Sequence, residues 1–441
     1  MVRVLKKIFR GFLIFLAVLV ALAASMVGGI DRTPLKEQEF YQEMMGRLDT
    51  TRLIERGGGQ LRSGWTKVNI TPSAQMPMAG YMPRDHFDAV HDSLYARILV
   101  FDNGSFRCAM INVDLLIFPP KLRDKLYDLN NDNIFLYLSA THTHNGVGGW
   151  DPSPGGRLVT GSYSEEWMND VAARIDNAIA GVVLKDASIQ YWQAPAEELI
   201  ENRVNVDSGK VDGSLRGLKV QRTDSSSAIL FTYGAHSTSI QSDILELSAD
   251  YPGKTIKLLE EQNSFAMFMS GMVGSHRFRF TFESSYDFID MMGPTLVSKI
   301  RNAKYDSTMS SPDIRSAHIP IEFGPSQLRI DRNWKVNNWV FRLLFRKLQG
   351  EFTYLEFGNV VFIGTPCDFS GEIYALDSLE SFATKRGKHL VITSFNGDYD
   401  GYITYDKHYE NSRKEEINAL NWVGPYYGAY FSEMIQKIVD K

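Results

Sequence analysis

Cysteine is scarce: the 441 residues carry only Cys108 and Cys367. Two thiols cannot build a disulfide framework and are too few for a thiolate zinc cluster, so any metal site must draw on histidine, carboxylate and tyrosine. A dominant charge is also missing. There are 47 Lys and Arg against 52 Asp and Glu, a formal net charge of −5, which leaves no basic field for nucleic acid. Internal repeats and low-complexity tracts are lacking, and with 12% aromatic and 22% charged residues the chain is not disordered. A mean hydropathy of −0.20 excludes a polytopic membrane protein. At about 150 residues per domain the length allows two or three domains, and one large α/β domain fits equally well.

What apolar excess there is lies at the N-terminus. Arg3, Lys6, Lys7 and Arg10 precede an uncharged run from Phe12 to Ile30, about 19 residues, close to the length that crosses a hydrocarbon core as a helix. The cationic flank is expected to stay cytoplasmic, with the bulk of the chain translocated. Read through Ile30, the run is an uncleaved anchor. Read as a shorter apolar core ending at Ala21-Leu22-Ala23, it is a cleaved export signal, and the protein is secreted. Either way the remainder works in the periplasm or outside the cell.

Phe40, Met44, Leu48 and Leu53 recur at roughly helical spacing over residues 33–56, and Gly57-Gly58-Gly59 follows. The expected partition is an anchor or signal (1–31), a helical stalk with a glycine hinge (32–60), and one catalytic domain (61–441). Short β-rich runs cover Tyr95 to Val100, Cys108 to Leu116, Ile134 to Ser139, Ile229 to Tyr233, Val360 to Ile363 and Leu390 to Ser394. Helical patterns cover Ser164 to Val182 and Ala249 to Gln262. Such alternation predicts an α/β fold: one large domain of mixed β-sheets flanked by helices, preceded by the N-terminal helix. The stretch Trp334 to Lys347 mixes aromatics with cations. It reads as an amphipathic helix packed on the domain, or as an element lying against lipid headgroups.

The strongest chemical signal is Leu138-Ser-Ala-Thr-His142-Thr-His144-Asn-Gly146. An apolar strand runs into His-x-His, where alternate side chains would address one site, and neutral imidazole is a good zinc ligand. Hydrogen-bonded structural histidines are the plain alternative. His236 follows another β-rich run. Asp368, Asp398 and Asp400 also follow strands, with Tyr402 just beyond, so a carboxylate is at hand to complete a metal shell. Cys367 reads as core packing.

At this point the chain resembles the neutral, non-lysosomal ceramidase family in its N-terminal catalytic domain. The resemblance rests on ordered motifs: Trp65-Thr-Lys-Val-Asn-Ile-Thr-Pro72, Met78-Ala-Gly80-Tyr81, His91-Asp92 through Arg97, Asn112-Val-Asp114, Ala140-Thr-His142-Thr-His144, Asn202-Arg203, His236, Ala249-Asp250-Tyr251-Pro252-Gly253, Tyr402-Ile403-Thr404 and Gly424-Pro425-Tyr426. It implies a zinc site of His142, His236, Asp368 and Tyr402. His144 would be an outer or oxyanion group, and Arg203 a contact to the substrate amide or oxyanion. It also implies a ceramide-like lipid substrate and amide hydrolysis by zinc-bound hydroxide. Three departures stand out. Asp368 occupies the position of a family Glu, with Glu372 as the fallback ligand. The family's serine position aligns with Arg277 in Gly274-Ser275-His276-Arg277, leaving Ser275 as the nearest hydroxyl. The family's C-terminal β domain is expected to be absent. Other readings stay open: a membrane-proximal metallohydrolase for another N-acyl lipid or ester, or a lipid-binding homologue that has lost catalysis. Oligomeric state is not legible.

Overall fold

Alternation at every second residue decides which layer a strand residue enters. Along Tyr95–Asp102, Ala96, Ile98 and Val100 join one apolar cluster, while Leu99 and Phe101 join another. Glu351–Phe357 divides the same way, with Phe352 and Tyr354 on one side and Leu355 and Phe357 on the other. Both strands are therefore covered on both faces. Leu99, Phe101, Leu355 and Phe357 share a central cluster, with the Phe101 and Phe357 rings 4.9 Å apart.

The result, seen in a computed structural model that describes residues 2–82, 84–130, 134–280, 284–412 and 414–441, is two mixed sheets face to face with helices outside each. The larger sheet runs in the order Phe265–Ser270, Ser227–Tyr233, Ser214–Arg222, Lys185–Pro195, Arg62–Asn69, Tyr95–Asp102, Arg107–Val113, Phe135–Ala140. The smaller runs Ile54–Arg56, Ile314–Pro320, Glu351–Phe357, Val360–Gly364, His389–Thr393. This is the α/β class that the alternating pattern predicts.

Three strand pairs in these sheets are parallel: Ser227–Tyr233 with Phe265–Ser270, Arg107–Val113 with Phe135–Ala140, and Val360–Gly364 with His389–Thr393. A parallel pair requires a crossover, usually helical. The helices Asp250–Glu260, Pro120–Asn130, and the pair Gly371–Leu376 and Leu379–Thr384 supply them. Helix Glu165–Ala180 covers the larger sheet through Trp167, Val171, Ile175 and Ile179. Its N-cap Ser164 accepts a hydrogen bond from the Trp167 amide, as the local sequence predicts.

Two expectations need correction. The supposed stalk is part of the domain. Helix Glu39–Thr50 buries Tyr41, Met44, Met45 and Leu48 in the same cluster as the terminal helix Tyr427–Val439, and Ile54–Arg56 adds an edge strand. The glycines after it are tied down, since the Gly58 amide donates to Asp313 Oδ1 and the Leu61 amide to the Ser310 carbonyl. Local spacing showed an apolar stripe but not the partner that covers it. Likewise Trp334–Lys347 is not one helix. Trp334–Val336 is a strand, and only Asn338–Leu344 is helical.

Candidate functional site

Ligands in open α/β sheets collect beyond the carboxyl ends of strands, and three segments meet at such a place. His142 and His144 follow Phe135–Ala140, His236 follows Ser227–Tyr233, and Asp368 follows Val360–Gly364. Strand alternation is not what aligns the first two histidines, because the strand stops at Ala140. His142 instead adopts φ 60°, a left-handed value, so a turn carries the chain past the site. Opposite it, Gly80 has φ +128°, and a Cβ there would lie 2.3 Å from His144 Cα. Only glycine permits that approach.

His142 Nε2 lies 2.9 Å from His236 Nε2, and His144 Nε2 lies 3.1 Å from His236 Nε2 and 3.4 Å from His142 Nε2. On their far sides, His142 Nδ1 donates to the Leu116 carbonyl at 2.6 Å and His236 Nδ1 faces the Val273 carbonyl at 3.4 Å. A carbonyl oxygen can only accept, so the ring hydrogen sits on Nδ1 and Nε2 keeps its lone pair. Burial drives the His142 pKa down to about 3 and holds those of His144 and His236 well below the usual value. Neutral imidazoles that aim lone pairs at one point repel one another, and a cation at that point removes the repulsion.

Asp368 adds the carboxylate. Its Oδ1 is 3.5 Å from His142 Nε2 and is buried without a hydrogen bond among the described residues, while Oδ2 accepts from Tyr399 Oη at 2.8 Å. Burial raises the Asp368 pKa to about 7, with Tyr399, Arg203 and Tyr402 opposing the rise. A tetrahedral zinc with bonds of about 2.0–2.1 Å spaces its ligands roughly 3.3 Å apart. The three separations among the histidine nitrogens, 2.9–3.4 Å, fit such an ion, and Asp368 adjoins the group on the His142 side at 3.5 Å.

The other residues implied by the resemblance divide. Tyr402 is buried, pairs with Asp368 in a short parallel ladder, and has its ring 6.4 Å from that of His236. Arg203 is mostly buried and contacts Glu416 Oε1 through Nε at 2.5 Å. Burial works against its charge, but Tyr402, Glu416 and Asp368 outweigh that and raise its pKa. His144 lies among the ring nitrogens rather than outside them. Ser275 does not face the cluster in the same way. Its hydroxyl accepts the Glu372 amide at 3.1 Å and its carbonyl accepts the Arg203 amide at 2.8 Å. We expect Ser275→Ala to cost any activity of this site no more than about tenfold, because a backbone-supporting hydroxyl contributes on the order of 1 kcal/mol. A loss matching that of His142→Ala would put Ser275 in the chemistry.

Arg277, at the family's serine position, points outward to Glu201 at 2.7 Å. Glu372, the fallback ligand, is committed to His408 Nε2, which donates to it at 2.7 Å. Asp398 is held by Arg123 at 2.6 Å and by Arg346, and Asp400 accepts the Gln349 amide. Sequence reading missed Tyr399, Glu416, the Leu116 carbonyl, and the two rings against the cluster. Tyr81 lies 5.0 Å from His144, and Phe395 is stacked 4.2 Å from His142. Tyr399 alone had a local signal, being set between two aspartates.

A metal held here stabilises the folded chain over the unfolded one. At a thousandfold excess over its dissociation constant the gain is about 4 kcal/mol. Chelation is therefore expected to lower Tm by several degrees, and His236→Ala should erase the difference between chelated and zinc-loaded samples.

No family model matches the chain. Among solved structures, neutral ceramidase from Pseudomonas aeruginosa is similar at a TM-score of 0.73 and 16% identity, over 86% of this chain and 75% of that one. A ceramidase complexed with C2 is similar at a TM-score of 0.69 and 15% identity, over 85% and 74%. The chain shares its fold with these two ceramidases.

Proposed function

We propose that the protein is a zinc-dependent amide hydrolase acting on ceramide or a related N-acyl lipid. The observation that supports it is the buried group of His142, His144 and His236 beside an Asp368 oxygen without a hydrogen bond among the described residues, at strand ends of a neutral ceramidase fold. His142, His236 and Asp368 would hold the ion. By distance His144 belongs with His142 and His236 as the further donor, and Tyr402, which the resemblance implies, borders Asp368. Bound zinc supplies an acidified water and a Lewis acid for an acyl carbonyl.

The protein's own groups do the rest. The Leu116 and Val273 carbonyls fix the ring tautomers so that Nε2 faces the site. Tyr399 orients the Asp368 carboxyl. Arg203, kept charged and aimed by Glu416, donates to the oxygen on which charge develops. Phe395 stacks on the His142 ring, and Tyr81 lies tilted against His144. In this reading Arg3–Ser25, a helix long and apolar enough to cross a membrane, anchors the domain on the outer side of the membrane that holds the substrate.

The test is hydrolysis of a fluorescent short-chain ceramide by the detergent-solubilised full chain. Cleavage abolished by phenanthroline and restored by zinc is the expected result. Zinc-dependent cleavage of an N-acyl amino lipid but not of ceramide would move the substrate, and chelator-insensitive or absent hydrolysis of both would remove the enzyme reading.

A further inference from the structure

The uncharged run at the N-terminus does not continue as helix to Ile30. The helix stops at Ser25, and Val27–Gly29 becomes a strand paired antiparallel with Trp334–Val336. A hydrocarbon core of about 30 Å needs roughly 20 helical residues. Counting back from Ser25 already reaches the lysines near the other end, so the helix has no apolar residues to spare. If it spans, Ser25 lies at the edge of the bilayer, and whatever is fastened to Ser25 lies there too.

The fastened element is the aromatic and basic stretch noted in the sequence. Trp339 Nε1 donates to the Ser25 carbonyl at 2.9 Å, and the Asn337 amide donates to the Met26 carbonyl at 2.8 Å. Its large apolar side chains point to solvent: Trp334 is 54% exposed and Leu343 65%, with Ile330 and Trp339 also exposed. From Arg329 to Lys347 there are six cations and one acid, Asp331. Helix Pro154–Thr160 extends the surface. The Phe345 ring fills the space over Gly155, where a Cβ would come within 2.4 Å, and Leu158 is exposed. This short helix belongs to the segment that continues from the histidine loop, its Thr160 carbonyl accepting the Gly149 amide at 2.6 Å.

Arg332 and Arg346 are paired, with Glu410 and Asp398, but the stretch keeps an excess of cations beside its exposed tryptophans, the composition of a membrane-surface element. We propose that the strand Trp334–Val336, the helix Asn338–Leu344 and the exposed side of Pro154–Thr160 form a bilayer-contact face, which seats Trp334 and Trp339 at headgroup level in the membrane that the N-terminal helix crosses. The inference rests on that helix remaining attached, but not on zinc or on the identity of the substrate. The face would set the domain down on the lipid surface in one orientation rather than let it swing on its anchor.

The N-terminal helix contains no tryptophan, so tryptophan fluorescence of the full chain in vesicles reports on the domain alone. The probe is a phosphatidylcholine brominated near the carbonyl end of its acyl chain, mixed with an anionic lipid. We expect bromolipid to quench part of the emission, and Trp334→Phe and Trp339→Phe each to remove part of that quenching. The double variant should lose roughly half of it or more, since interfacial tryptophans are the ones within reach of the bromine. Both side chains are exposed, and unchanged far-ultraviolet circular dichroism and Tm verify that the variants fold. No quenching in wild type, or equal quenching in the double variant, would overturn the proposal. A protein that is quenched as expected but does not hydrolyse ceramide would leave this inference standing and remove only the functional one.

Discussion

His236→Ala is expected to abolish stoichiometric zinc binding and to lower amide hydrolysis by about 10³-fold or more, equivalent to about 4 kcal/mol of transition-state stabilisation. The size follows from where the ring sits. Its Nε2 is within 3.1 Å of both other ring nitrogens, so its loss removes the donor that the Ser227–Tyr233 strand brings to the group. His142→Ala should match it. Metal analysis after dialysis and ceramide turnover on the same samples are the measurements, and full zinc occupancy in either variant would break the assignment. The same assay ranks the fourth donor. The distances predict that His144→Ala lowers occupancy more than Tyr402→Phe does, and the reverse order would place Tyr402 in the shell and His144 outside it.

The second large effect is at Arg203. Arg203→Met should retain zinc and lower kcat by about 10²- to 10³-fold, the usual magnitude for losing one oxyanion donor. KM should change little if the contact is made chiefly in the transition state. Stability complicates the single variant, because it strands Glu416, a buried carboxylate whose partner sits at 2.5 Å. Breaking such a pair costs several kcal/mol. The double variant Arg203→Met/Glu416→Gln removes the stranded charge. It should recover Tm without recovering kcat. If the double variant regained activity, Arg203 would be a structural ion-pair partner and nothing more. Glu416→Gln alone keeps the guanidinium but loosens its aim, and about a tenfold loss is expected, as for other orienting partners of site residues.

The stabilising and the functional parts of this site are hard to separate because the same strand ends serve both. Ser275 shows the division. Its backbone carbonyl holds the Arg203 amide, and its hydroxyl holds the start of the helix that carries Glu372. A loop that carries a serine in the family's pattern thus has a bracing role here. Arg277, next but one, is turned to the surface with Glu201.

Much of this protein was legible from residue order. The apolar N-terminal run, the main β-rich runs, the helix capped by Ser164, and the His-x-His at a strand end are all set by local spacing and residue type. A helix or strand needs only its neighbours to show its period. The family motifs added a list of residues, Asp368, Tyr402 and Arg203 among them. What the list could not say is which donors meet. His142 and His236 are 94 residues apart, and their approach depends on parallel strands brought side by side by helical crossovers. The tertiary structure alone decided that Asp368 sets an oxygen 3.5 Å from His142 while Glu372 bonds to His408, and that the chain turns left-handed at His142. It also decided that residues 39–50 are core rather than stalk. The physical reason is the same in each case: a side chain's chemistry is local, but its partner, its burial and therefore its protonation are properties of whatever the rest of the chain packs against it.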